Sequence, residues 1–164
     1  MLEEKYTALD LVKTINSSVA DIKASTTFLN ECAADPAYLY NPPVGGRGLQ
    51  KVYNDCHLFE FALLCHLKIY KVERLPSKNI IKALREDTQY HKAESLDEMK
   101  KRVGKMILVI KNRKHLQTAN SFERVMEILK GHVGRFKNKS QQDAWGTATS
   151  ALIFNVEEVV STLY

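Results

Sequence analysis

The stretch Tyr6-Thr-Ala-Leu-Asp-Leu-Val-Lys-Thr-Ile-Asn-Ser-Ser-Val-Ala-Asp-Ile-Lys23 decides how the rest of the chain is read. Ala8, Leu11, Val12 and Ile15 recur at three- and four-residue spacing, which puts them on one face of a short helix. Asn16-Ser17-Ser18 predicts its end, because Asn tolerates the left-handed backbone of a tight turn and Ser18 can then cap a second helix. Val19 and Ile22 begin that helix's buried face, and Asp21 falls in its first turn, where the macrodipole favours an acid. The expectation is helix, three-residue turn, helix.

Downstream, the second helix is expected to run to about Ala33, where Asp35-Pro36 and Asn41-Pro42-Pro43 rule out continuous helix. Tyr38-Leu-Tyr40 and Gln50-Lys-Val-Tyr53 read as two short strands flanking the Val44-Gly-Gly-Arg-Gly48 tip, a small hairpin or wing. From His57, Leu58, Phe61, Ala62, Leu64, Cys65 and Leu67 crowd one broad face of a core helix. Leu75-Pro76-Ser77 breaks the chain, and Ser77 can cap a helix carrying Ile80, Ile81 and Leu84. The polar Thr88 to Lys92 marks a boundary near residue 92.

In this order of elements the first half resembles the MerR-type regulators. Ser18, Val19, Ile22 and Lys23 fall on the family's Ser-Val-x-x-Ile-Arg pattern, with Lys23 at the Arg position. Asn41-Pro-Pro and Gly48-Leu-Gln-Lys-Val-Tyr53 resemble its loop and its Gly-Tyr-Arg-x-Tyr wing, and His57-Leu58 follow in place of Asp-Leu. The resemblance implies a winged helix-turn-helix that binds double-stranded DNA, with Lys51 or Arg47 as the wing's basic residue and Tyr53 as its last Tyr. Ala24-Ser25 depart from the family's paired Tyr residues, and neither its long dimerising helix nor its metal-binding cysteine loop is present. Physical reasoning points to the same surface. A recognition helix exposes small, polar or basic side chains at its start, and Ser17, Ala20, Asp21, Lys23, Ala24 and Thr27 qualify, with Ser18 beside them, while Lys23, Arg47 and Lys51 suit phosphates.

In the second half, Ser95-Leu-Asp-Glu98 starts a short helix and Met106-Ile-Leu-Val-Ile110 reads as a buried strand. Phe122, Val125, Met126 and Leu129 mark an amphipathic helix ending at Gly131, and Ala151-Leu-Ile-Phe154 reads as a second strand. Asn155 and Glu158 open a last helix. The fold class is therefore α+β and mostly helical. Residues 1–92 form a winged helix-turn-helix DNA-binding domain, and residues 93–164 a small α/β module that dimerises or receives a signal from an effector or protein partner. The apolar surface of so small a module calls for a homodimer.

A net charge of +5 and pI near 9.0 suit an anionic partner. Charge does not single out the first half, since residues 1–92 carry 12 Lys/Arg against 11 Asp/Glu and residues 93–164 carry 12 against 8. Lys100, Lys101, Arg102, Lys105, Lys111, Arg113 and Lys114 form a second candidate anion-binding surface. Cys32, Cys56 and Cys65 fit neither a disulfide framework nor zinc-ligand spacing, so reduced thiols in the cytoplasm are expected. No apolar run spans a bilayer, and the acids of Met1-Leu-Glu-Glu-Lys5 do not fit a secretory signal. Five scattered histidines lack metal or acid–base spacing, so no cofactor, no metal and no enzyme are expected. The function read from this pattern is sequence-specific DNA binding in transcription regulation. Its competitor is an interaction or assembly protein of a phage or mobile element that grips a partner protein through the same domain.

Overall fold

A computed structural model of the chain describes residue 2 and residues 5–19, 22–44, 50–104, 106–112, 115–131, 137–148 and 150–164. A two-residue strand β1 (Tyr6–Thr7) leads into helix α1 (Ala8–Ser18). Thr7 and Asp10 cap each other's backbone there, and Leu11, Val12 and Ile15 are buried. The helix does not stop at Asn16. It continues through Ser17 and Ser18, and Val19 is the first extended residue. The Asn16 side chain makes no left-handed turn but reaches residue 24, accepting from Ala24 N–H at 2.8 Å and donating to its carbonyl at 3.1 Å.

Helix α2 (Thr26–Ala33) begins seven residues later than the sequence predicts, with Ser25 as its cap in place of Ser18. Ile22 and Ala24 are buried from backbone that is neither helix nor strand, so the connection between the helices is longer than a tight turn. Tyr38-Leu-Tyr40 is not a strand either. Tyr38 and Leu39 donate their N–H groups to the Asp35 carbonyl and bury their side chains. Strand β2 (Val52–Tyr53) pairs antiparallel with β1, Tyr6 opposite Tyr53 and Thr7 opposite Val52. The ribbon thus joins residues 52–53 to the residues before α1 and has no partner at Tyr38–Tyr40.

Asn54 caps helix α3 (Asp55–Ile69), of whose fifteen residues twelve are buried, so this helix is the centre of the molecule. Helix α4 (Arg74–Thr88) starts at Arg74, upstream of the Ser77 cap expected from the sequence. Pro76 is tolerated in its first turn, where amides lack helical partners, and the Ser77 hydroxyl donates to the Glu73 carbonyl instead. A 3-10 turn, Tyr90–Lys92, follows.

Glu60, fully buried on α3, organises these pieces. Its carboxylate accepts from Arg85 Nε at 2.7 Å, from the Tyr90 hydroxyl at 2.5 Å and from the Tyr40 N–H at 2.7 Å. Arg85 also donates to the Pro36 carbonyl at 2.8 Å. The Pro-rich loop is thereby fastened to α3 and α4 without regular structure of its own.

Helix α5 (Leu96–Val103), capped by Ser95, leads to strand β3 (Ile107–Lys111) and then to strand β4 (His115–Ala119), which the sequence pattern did not reveal. Helix α6 (Phe122–Lys130) ends at Gly131 as its sequence predicts, and a short helix α7 (Lys139–Trp145) follows. Strand β5 (Ala151–Asn155) and helix α8 (Val156–Leu163) complete the chain. The three strands form an antiparallel sheet in the order β4-β3-β5. Val109 faces a small cluster with Ala119, Val125 and Ile128, whereas Leu108, Ile110 and Phe154 join a core that runs from Leu2 to Leu163 and includes Leu11, Ile15 and Leu58. The apolar surface that led us to expect a homodimer is thus largely covered by the N-terminal half. Lys111, on β3, is fully buried, and its ammonium donates to the carbonyls of Ala144 and Gly146 at the end of α7.

The buried network sets a clear stability hierarchy. Glu60→Ala leaves Arg85 charged and unpaired in the core and should cost about 3–5 kcal/mol, whereas Arg102→Ala, at a partly exposed pair with Glu98, should cost about 1 kcal/mol or less. The double variant Glu60→Leu/Arg85→Met should be less destabilised than Glu60→Ala alone. Urea unfolding of the three variants checks the order.

Candidate nucleic-acid interface

The two hydrogen bonds between Asn16 and Ala24 hold residue 24 against α1, and the next residue, Ser25, meets the Phe28 N–H at 3.2 Å and starts α2 there. One face of α2 is committed to the core through Leu29 and Cys32, with Phe28 tilted against Phe61 at 5.6 Å between centroids. The other face is open. Ser25, Thr26, Thr27 and Asn30 are exposed, and exposed Lys23 precedes the helix. This end of α2 offers free first-turn amides, three hydroxyls, an amide side chain and one ammonium.

Lys51 is half-buried and lines an open cleft of about 550 Å³ with Ala33 and Ala34, at the far end of α2, and with Pro42, Pro43 and Val44 of the loop. An eight-residue helix is about 12 Å long. Lys23 and Lys51 therefore stand at opposite ends of a polar helix face roughly that long.

Other residues expected at the interface are elsewhere. Tyr53 is fully buried, edge-on to His57 at 5.7 Å, and burial pushes its phenol pKa up, so it supports the ribbon and cannot meet phosphate. His57 accepts the Asn54 N–H on Nδ1 at 3.0 Å, so its proton is on Nε2, which donates to the Tyr40 carbonyl at 2.8 Å. Ser17 lies in the last turn of α1 and donates to the Thr14 carbonyl, and Ser18 lines a separate cleft of about 580 Å³ beside Tyr70, β5 and α8. Neither stands at the start of α2. Ala20, Asp21 and Arg47, with the Gly-rich tip, lie outside the described residues.

Of the basic run of the second half, Lys111 at least is not on the surface. It is buried, Arg102 is held by Glu98 and the Gln89 carbonyl, and Lys100 sits 5.3 Å from the Tyr164 ring centre. Lys105, Arg113 and Lys114 lie outside the described residues. Three residues of the open face, Ser25, Thr26 and Asn30, escaped the sequence reading. The signal was a second cap candidate, Ser25 ahead of Phe28-Leu29, which competed with Ser18.

The three cysteines are free and buried, and burial pushes the Cys32 and Cys65 thiols up to about 12, which disfavours thiolate chemistry at them. Among the described residues no group of three or more His, Cys, Asp or Glu could hold a metal ion, and no helix is long and apolar enough to cross a membrane. Compared with protein-family models, curated proteins and solved structures, the chain matches none.

Asn16→Ala should destabilise the chain by about 1–2 kcal/mol through loss of both bonds to Ala24. Amide exchange at Phe28, in the first turn of α2, should accelerate more than exchange in α3; an even change across both helices would contradict the role given to Asn16. A second outcome follows from burial of two imidazoles. Desolvation holds His66 and His91 below their ordinary 6.5, with nearby Lys92 and Arg85 adding to the effect at His91. As pH falls through 6.5 the unfolded chain takes up protons first, so stability drops until the folded rings also titrate. Urea midpoints between about pH 7.5 and about pH 5.5 should fall, and less steeply in His66→Gln and His91→Gln.

Proposed function

We propose that this chain binds duplex DNA by laying the open face of α2 in the major groove, and that it acts in transcription regulation. The observation that carries the reading is the face itself: Ser25, Thr26, Thr27 and Asn30 exposed on a helix whose approach is fixed by Asn16, with lysines at both ends. A major groove about 12 Å wide accepts a helix, and its rims are phosphates that Lys23 and Lys51 can neutralise. Hydroxyl and amide side chains at a helix start are suited to base edges. The net charge of +5 favours the encounter. Binding as a homodimer on two half-sites belongs to this proposal.

A partner protein is the competing occupant. The cleft beside β5 favours it, because Val19, Tyr70 and the exposed Ile153 give that cleft an apolar rim.

Fluorescence anisotropy of the full chain against a random duplex pool separates the two. DNA binding predicts affinity that weakens with added salt, since each phosphate neutralised releases about 0.9 counterion. Lys51→Ala should weaken all duplexes alike and lower the salt slope by about 1, whereas Lys23→Ala and Thr27→Ala should also change the preferred sequence. Folded wild-type protein that ignores every duplex at low salt would remove DNA from consideration.

A further inference from the structure

Between α2, α3 and the start of α4 lies a cavity of about 170 Å³. Cys32, Tyr38, Leu64 and Val72 line its buried part. The Tyr38 hydroxyl is committed to the Arg74 carbonyl at 3.1 Å, and the Cys32 thiol, pushed up by burial, stays neutral. The Ser77 hydroxyl, also on the lining, donates to the Glu73 carbonyl at 2.8 Å, so the interior is mostly apolar and its hydroxyls are already partnered. Its volume is close to that of an apolar cavity of about 150 Å³ that stays dry and accepts benzene.

The mouth is charged. Lys68 is exposed, its ammonium 4.0 Å from the centre of the Phe28 ring, and it meets no carboxylate at ion-pair distance among the described residues. Arg74 faces Glu31 at 3.7 Å, both side chains more than half exposed, a contact too long and wet to neutralise either firmly. Two cations and one anion leave an excess of one positive charge above an apolar well. We infer that this cavity binds a small aromatic monocarboxylate, its ring between Phe28, Leu64 and Val72 and its carboxylate at Lys68 and Arg74.

Such a ligand touches α2 through Phe28, Glu31 and Cys32 while α3 and α4 hold its other side. Phe28 carries the amide that Ser25 caps, so occupancy bears directly on the end of α2 that presents Thr26 and Thr27. On the DNA-binding reading, which this second step assumes, the ligand is an effector that changes affinity for DNA. It would then act beside the recognition helix, not in residues 93–164, where the sequence analysis put the effector.

The test uses the full chain with benzoate, benzyl alcohol and benzylammonium, followed by calorimetry and thermal unfolding. Saturable benzoate binding with a raised midpoint, about tenfold tighter than benzyl alcohol and absent for benzylammonium, is the expected result. Lys68→Glu, a surface change, should abolish the preference for benzoate and leave benzyl alcohol bound, and Cys32→Phe should fill the cavity and exclude both. If Cys32→Phe does not fold, Lys68→Glu alone decides. No saturable benzoate binding, or benzoate binding unchanged in Lys68→Glu, overturns the site. Benzoate that binds yet leaves the affinity of a DNA complex unchanged overturns the effector role alone, and a chain that binds benzoate but no DNA overturns the DNA reading while the site stands.

Discussion

A carboxylate taken out of water must be met by donors on every side, and Glu60 is met by three. Arg85 comes from α4, Tyr90 from the 3-10 turn and the Tyr40 amide from the Pro-rich loop, so one buried anion joins four parts of the chain. The attraction within such a pair is set against the large desolvation of both ions, so its value is specific geometry more than net stability. With the burial of Tyr38 and Leu39 and the His57 bond to the Tyr40 carbonyl, it holds the loop from Asp35 to Pro43, whose prolines prevent both helix and ladder. Within this network Arg85 Nη2 finds no hydrogen-bond partner among the described residues, although Nε and Nη1 both do.

That constraint reaches the proposed interface through the loop. Residues 34–44 connect α2 to the ribbon, and Lys51 shares a cleft with them. The face of α2 is thus fixed at its start by the Asn16 side chain and bounded at its far end by a loop that a buried ion pair fixes. Neither hold involves the exposed side chains of the α2 face itself.

Local signals were legible in the sequence where the deciding contacts were local. Ser95 and Asn155 start their helices and Gly131 ends its own as read, because capping is settled within a few residues. The face of α1 was legible for the same reason. The start of α2 was not, since Ser18 and Ser25 are both good caps and the choice falls to burial of Ile22 and Ala24 and to a side chain eight residues away. Strands β1 and β2 are two residues each and pair across most of the first half, which no periodicity can announce. In β4, His115-Leu-Gln-Thr-Ala119 lacks apolar alternation, so only its partner β3 reveals it. The placement of interface residues inherited these errors: Lys23, Thr27 and Lys51 are accessible, but Ser17 and Ser18 belong to another helix and Tyr53 to the core. The core itself crosses residue 92, because α8 packs on α1 and α3.

Lys111 has a consequence of a different kind. Its amine is buried beneath the end of α7 and bonded to two peptide carbonyls, with no acidic side chain at ion-pair distance among the described residues. An acylating reagent in solvent meets the exposed lysines freely but reaches this one only while α7 is lifted from the sheet. Burial also lowers its pKa, so once uncovered it regains an ordinary amine's proton affinity. The slow labelling of this single lysine is therefore a clock for the opening of one corner of the molecule, readable by mass while the rest stays folded.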